Sequence, residues 1–267
     1  MKYKISELSV MAGIAAQTLR RYEERGIITA YREEQNGYRY YRALDLAALI
    51  RVRMYRNYGF SLNEITELFS QEIDEDIITF ENRIKDLEKE TLVIQNLIKC
   101  AKRQINEMKD INNYIGSYHI VNLSPMIGIL YRDKTMIYNT SKLKKTISNW
   151  AEKTPMVKQL LIVSKDSFLK MRDEYSVGLC ITKEDALKCG IKMDEYCFNI
   201  PGGKYLHTVI KAKNELNLVS EGYIDKIKSY LHNNKMTISG DIIGSTIVAV
   251  NGSDGNITHY QNIYIPI

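Results

Sequence analysis

Residues 74–113 contain neither proline nor glycine. Apolar residues recur through them at alternating spacings of three and four: Ile77, Phe80, Ile84, Leu87, Ile94, Ile98, Ala101, Ile105 and Met108, with Thr91 and Asn112 filling the remaining positions. That is a five-heptad stripe on one side of a helix with a charged exterior. At about 1.5 Å per residue the helix is about 60 Å long. Nothing short covers a seam of that length, so the spacing predicts pairing with a second copy of the chain, with those nine residues as the dimer contact and Thr91 helping to select register.

Upstream, the signals are closely spaced punctuation. Ser6 is a candidate cap for a first short helix that carries Leu8 and Met11 inward and stops at Gly13. A second runs from Ala15 to Arg25 and stops at Gly26, making a helix-turn-helix candidate. The second helix carries Gln17, Thr18, Arg20, Arg21 and Tyr22, a basic and hydrogen-bonding set suited to a major groove. Asn36-Gly37 predicts a hairpin between strands at Ile27–Tyr31 and Tyr38–Tyr41. In the returning strand, alternation sets Tyr38, Tyr40 and Arg42 on one face and Arg39 and Tyr41 on the other, which suits a wing. Helices follow at Leu44–Tyr58 and, from the capping box Ser61–Glu64, to about Ser70. Residues 1–60 hold eleven Lys and Arg against six acids, so the whole chain's net charge of +5 is concentrated here. A local excess of this kind, mostly Arg, is the footprint of a polyanion. Lys4, Gln17, Thr18, Arg20, Arg21, Tyr22, Tyr38, Arg39 and Tyr40 are the expected DNA contacts.

After Gly116 the pattern changes to strands at His119–Tyr131, Lys158–Val163, Ser176–Thr182, Tyr196–Ile200, Tyr205–Ala212, Ile242–Val250 and Asn262–Ile267, with helices at Ser141–Lys153 and Val219–Asn233. This reads as an α+β domain, largely antiparallel sheet with helices on one side and two β-plus-helix halves. The fold class is therefore two-domain: a winged helix-turn-helix over 1–72, a dimerisation helix over 73–115 and an α+β domain over 116–267. No signal-peptide pattern opens the sequence and no apolar run reaches spanning length, so a cytoplasmic chain with reduced thiols is expected and no membrane partner.

The stretch ISELSVMAGIAAQTLRRYEERGII, followed by NGYRYY and the LNEI helix, resembles the MerR family of transcription regulators over about residues 4–70. TSKLKKTISNW, PGGKYLHTVI and the terminal NIYIPI make the remainder similar to the GyrI-like effector domain of the BmrR-like, multidrug-sensing branch. The resemblance implies a homodimer, joined by an antiparallel helix pair, on a palindromic promoter. It also implies activation: when a small effector binds, the dimer bends and untwists the DNA so that RNA polymerase meets both promoter elements. The family usually has Tyr where this chain has Arg21, which adds a positive charge at the DNA face. In that branch the pocket is an aromatic cage around a buried acid that attracts lipophilic cations. Tyr138, Trp150, Tyr175, Phe198, Tyr205, Tyr260 and Tyr264 are the cage candidates here. At the two positions where relatives carry the acid this chain has Gly244 and Asn262; Asp241, Glu195 or Glu174 are candidate substitutes, and a neutral aromatic effector fits the cage equally.

Two rivals are set against this reading. A metal or redox sensor calls for clustered ligands, whereas Cys100, Cys180, Cys189 and Cys197 are dispersed and lack neighbouring histidines. A GyrI-like hydrolase or drug-sequestering protein calls for a nucleophile and base, whereas His119, His207, His232 and His259 match no such pattern. No catalytic residue, metal or cofactor is expected.

Overall fold

The computed structural model describes residues 2–34, 37–133, 138, 140–214, 218, 221–253 and 255–267. They divide into two compact units, Met1–Val93 and Ile94–Ile267.

In the first unit the order is β1 (Lys2–Tyr3), α1 (Ile5–Ala12), α2 (Ala16–Glu24), β2 (Tyr31–Arg32), β3 (Arg39–Arg42), α3 (Ala43–Asn57), α4 (Leu62–Leu68) and the first half of α5 (Ile73–Tyr114). Leu8, Leu19, Ile28, Tyr41, Leu49, Val52, Phe60 and Ile65 form its core, each at most 1% exposed. Fully burying an aliphatic side chain of this size stabilises by about 2 kcal/mol, so these few residues carry the module. Gly13, at φ +63°, lets its N–H and that of Ile14 close the end of α1 on the carbonyls of Val10 and Ser9. Ser61 and Glu64 form the predicted reciprocal cap of α4, Ser61 N–H donating to Glu64 Oε2 at 2.7 Å and Glu64 N–H to Ser61 Oγ at 3.3 Å.

Three local expectations are corrected. Ser6 lies inside α1; the start of that helix is satisfied by Glu7, whose carboxylate accepts the Lys4 N–H at 2.6 Å. Met11 is 53% exposed, because Leu8 and Ala12 already fill the inward stripe. Ile27 and Ile28 are buried without being in a strand, and the hairpin pairs only Tyr31–Arg32 with Tyr40–Arg39, while β1 adds an edge opposite Tyr41 and Arg42. Asn36 lies outside the described residues.

The second unit holds the rest of α5, then β4 (His119–Leu123), β5 (Met126–Arg132), α6 (Ser141–Ala151), β6 (Lys158–Val163), α7 (Lys165–Leu169), β7 (Ser176–Thr182), α8 (Lys183–Lys188), β8 (Cys197–Ile200), β9 (Gly203–Lys213), α9 (Tyr223–Asn233), β10 (Ile242–Asn251) and β11 (Ile257–Pro266). The predicted strand His119–Tyr131 is two strands, since Pro125 lacks the N–H that a continuous ladder needs. The short helices α7 and α8 were not expected. Each is opened by a side-chain cap, Ser164 Oγ accepting from Ser167 N–H and Thr182 Oγ1 from Asp185 N–H, both at 3.1 Å.

All eight strands join one antiparallel sheet in the order β4-β9-β11-β10-β6-β7-β5-β8. About the β10–β6 contact the order is a mirror of itself. Strand–helix–strand–strand occurs as β5-α6-β6-β7, with the five-residue α7 inserted between its last two strands, and again as β9-α9-β10-β11, and the strand preceding each half pairs with the other half. The two halves suggested by the sequence are thus a pseudo-two-fold repeat. Gly178 allows its tightest approach: a Cβ there would stand 1.9 Å from the Ile129 carbonyl oxygen.

One face of the sheet packs α9 over Leu161, Leu206, Ile210 and Ile263, and α6 over Ile127, Ile129 and Ile181. The other face carries Leu160, Tyr205 and Ile243, and there Ile111 of α5 packs on Val209 and Ile247. The helices that follow residue 116 thus pack on one face of the sheet, as expected, while α5, which precedes them, meets the other.

Candidate nucleic-acid interface and effector cleft

In α2 the inward side chains are Leu19 and Tyr22, at 0% and 8% exposed. The helical period then turns Gln17, Arg20 and Arg21 outward, where all three are exposed, with Thr18 half-buried beside them. Lys4, Tyr38 and Arg39 are also exposed. Tyr22 and Tyr40, two of the expected DNA contacts, are buried, Tyr22 in the core of the module and Tyr40 within the wing. Tyr40 sits beneath the Lys2 ammonium, 4.5 Å from its ring centroid, and beside Tyr31 at 6.3 Å.

A buried link holds the wing to α2. Tyr41, wholly buried, donates its hydroxyl to Glu23 Oε2 at 3.1 Å. Burial, reinforced by that carboxylate, pushes the phenol up to about 12, while the nearby guanidinium groups of Arg39 and Arg20 oppose the rise. Arg20, Arg21 and Arg39 form no ion pair among the described residues. Other arginines of the unit are engaged in holding the fold: Arg25 donates to Asn63 Oδ1 at 2.6 Å, Arg53 to the Ala12 carbonyl at 2.8 Å and Arg56 to the Phe60 carbonyl at 2.9 Å. Sequence reasoning missed the Tyr41–Glu23 link; no periodicity signals a bond across 18 residues.

Along α5 the predicted stripe is exposed at Ile77, Ile84, Ile94, Ile98, Ala101, Ile105 and Met108, and Leu87 is half-buried. Phe80 differs. It meets Tyr55, Tyr58 and Phe60 edge-on at 5.0–5.8 Å and so completes the core of its own chain. The Thr91 hydroxyl donates to the Leu87 carbonyl at 2.8 Å, which turns it back onto its own helix. Leu92, Val93 and Leu97, outside the predicted set, widen the exposed apolar face in the middle of the helix.

In the second unit a cleft of about 570 Å³ opens where β5, β6 and β7 meet α7. Tyr175 and Phe198 form aromatic walls, and Asp133, Glu174 and Asp241 bring three carboxylates to it. Each is anchored: Asp241 Oδ1 accepts the Lys165 N–H at 2.9 Å, Glu174 Oε2 the buried Ser167 hydroxyl at 3.0 Å, and Asp133 Oδ2 the Tyr138 hydroxyl at 2.9 Å. No salt bridge reaches Glu174 or Asp241 among the described residues. A smaller cavity of about 200 Å³ on the far side of Tyr175 includes Gln261, which is 6% exposed and whose Oε1 has no hydrogen-bond partner among the described residues.

The seven expected cage residues do not form one cage. Tyr175 and Phe198 line the cleft, and Tyr138 adjoins it through Asp133. Trp150, 2% exposed, packs with Ile127, Ile129 and Val157. Tyr205, 3% exposed, donates to the Pro201 carbonyl at 2.8 Å. Tyr260 and Tyr264 lie toward α5, Tyr264 stacked on His207. Strand alternation and the pairing of distant strands scatter them between faces. Of the substitute acids, Glu174 and Asp241 are at the cleft, whereas Glu195 is exposed and pairs with Lys142.

Residues 3–72 match the family described as MerR HTH family regulatory protein. The HTH-type transcriptional regulator ZntR of Escherichia coli K12 is 31% identical over 108 residues, 38% of this chain and 77% of that protein. The chain belongs to the MerR family of DNA-binding transcription regulators. The mercuric resistance operon regulatory protein of Bacillus cereus is 30% identical over 115 residues, 43% of this chain and 81% of its own. Among solved structures, that of EcmrR with DNA in a cryo-EM open complex covers 99% of this chain and 100% of that one, at 17% identity and a TM-score of 0.36. The matched segment of this MerR-family chain contains all nine residues expected to meet DNA. Its four cysteines are free, and among the described residues no three His, Cys, Asp or Glu side chains gather as a metal site. Burial pushes Cys180 up to about 11, which leaves that thiol protonated and inert at neutral pH. No described helix is long and apolar enough to cross a membrane.

Proposed function

We propose that this MerR-family chain is a cytoplasmic, dimeric, ligand-responsive regulator and not an enzyme. It binds a palindromic promoter through residues 1–72 and dimerises through 73–115. It activates RNA polymerase by bending and untwisting the DNA when a small molecule occupies domain 116–267. The observation that carries the DNA reading is the exposed set Arg20, Arg21 and Arg39, which form no ion pair among the described residues, on a helix and a wing tied together by the Tyr41–Glu23 hydrogen bond. Such guanidinium groups release counterions on meeting phosphate and form bidentate contacts with base edges.

The effector is a lipophilic cation seated in the cleft of Tyr175, Phe198, Glu174 and Asp241. Two carboxylates in a partly apolar cleft of about 570 Å³ favour a delocalised cation, and the two rings add cation–π attraction. Occupancy reaches α5 through β6 and β10. Ile162 of β6 lines the cleft, Lys158 at the start of that strand binds Glu107 of α5 at 2.7 Å, and Gln104 of α5 donates to the Ile247 carbonyl of β10. The test is promoter transcription with purified chain and polymerase, with and without tetraphenylphosphonium as a probe cation. Transcription should rise with the cation for the wild-type chain and not for Glu174→Gln/Asp241→Asn. An equal response from both chains refutes the cleft, and a chain that binds no promoter refutes the whole reading.

A further inference from the structure

Lys2, Tyr40, Tyr31 and Arg42 interleave across the wing. The small sheet runs β1-β3-β2, so Lys2 on β1 and Glu33, next after β2, stand on either side of β3. Neighbouring strands lie about 4.8 Å apart, which makes the gap between them about 10 Å. The Lys2 side chain crosses it. Its ammonium lies 4.5 Å from the ring centroid of Tyr40, on the middle strand, and forms an ion pair with Glu33 Oε1 beyond. That cover leaves Tyr40 only 9% exposed, although it is no part of the apolar core of the unit. Tyr31 stands beside Tyr40, and the Arg42 guanidinium lies 5.5 Å over the Tyr31 ring.

The hairpin needs an outside tie. Its strand β2 is two residues long, and a lone hairpin is marginal in water at best. Its last pair sets Arg32 directly opposite Arg39, and like charges in that position push the strands apart. Glu33 is where the turn is built: its N–H donates to the Tyr38 carbonyl at 3.1 Å, and its carbonyl accepts the Gly37 N–H at 2.8 Å. Whatever fixes Glu33 therefore fixes the turn and, through the Arg32–Arg39 pair, the first residue of the returning strand.

We infer that Lys2 and Glu33 form a strap across the wing, two positioning residues that hold Arg39 for the duplex without meeting a phosphate themselves. The inference rests on the DNA reading above, and charge gives it a sign. As a bystander beside a polyanion, Glu33 would repel it, and neutralising that acid would tighten promoter binding. As half of a strap, its neutralisation releases Lys2 and weakens binding.

The test uses the full chain in gel-shift titrations at several salt concentrations. Lys2→Met keeps the aliphatic stem and Glu33→Gln keeps the shape. Each should weaken promoter binding about fivefold or more, through the lost ion pair and ring contact. The slope against salt should not change, since no phosphate contact is lost. The double variant should bind no more weakly than Lys2→Met alone. Lys2→Arg should restore wild-type affinity, because a guanidinium keeps both the pair and the ring contact. Hydrogen exchange without DNA gives a second measure: the Glu33 and Gly37 amides should exchange several-fold faster in Lys2→Met, with α1 and α2 unchanged. Tighter binding by Glu33→Gln, a slope flattened by about one unit in Lys2→Met, or wild-type exchange in the wing overturns the strap. Faster wing exchange in Lys2→Met, together with a wild-type chain that binds no promoter, supports the strap and overturns the DNA reading alone.

Discussion

Replacing Tyr41 by Phe isolates the bond that ties the wing to α2. The ring stays in the core, so packing volume is conserved and only the hydroxyl is lost. Its partner is the Glu23 carboxylate at 3.1 Å, and a hydrogen bond to a charged group contributes about 1.5–3 kcal/mol. Taking the lower figure, because Glu23 is half-buried and regains some water, Tyr41→Phe should cost the first unit about 1.5 kcal/mol at pH 8. The folded phenol is raised to about 12 from its ordinary 10. A raised value means that its stabilisation is complete below pH 10 and is lost as pH climbs toward 12, at about 1.4 kcal/mol per unit. The wild-type lead should therefore vanish near pH 11, where the Phe chain, with no proton to lose there, catches up. Urea melts followed by far-UV circular dichroism read the first unit. Fluorescence of the single tryptophan, Trp150, reads the second, and its midpoint should not move. Other buried phenols titrate equally in both chains and cancel in the difference. A wild-type lead that persists unchanged from pH 8 to pH 11, or a Tyr41→Phe cost that appears in the Trp150 transition, refutes the reasoning.

Arg20→Ala and Arg39→Ala should each weaken promoter binding at least tenfold and flatten the salt dependence by about one unit per lost phosphate contact, with the dimer intact; gel-shift titrations at several salt concentrations check this. Ile98→Glu should yield a monomer by light scattering, since it sets a charge in the middle of the exposed stripe, whereas the already exposed Leu187→Glu should leave the mass unchanged. Gly178→Ala should destabilise the second unit by several kcal/mol or prevent its folding, because the added Cβ meets a backbone carbonyl rather than a movable side chain; loss of the Trp150 transition reports it.

Much of this protein was determined by its sequence alone. The glycine-stopped helices, the Ser61–Glu64 cap, the 42-residue helix α5 and the strands β6 and β7 follow from periods and caps, which act between residues only a few positions apart. The exposed arginines of α2 were legible for the same reason: Leu19 fixes the inward side of the helix, and Arg20 and Arg21 fall outside it. The tertiary structure decided what joins distant segments. Pairing of β4 with β9 and of β5 with β8, the burial of both Tyr40 and Tyr41, the diversion of Phe80 into its own core, and the gathering of Glu174 and Asp241 beside Tyr175 have no local signature. A period of two says that a strand has two faces, but the register against a partner far along the chain says which face meets which cavity, and that choice is made by packing the whole sheet at once.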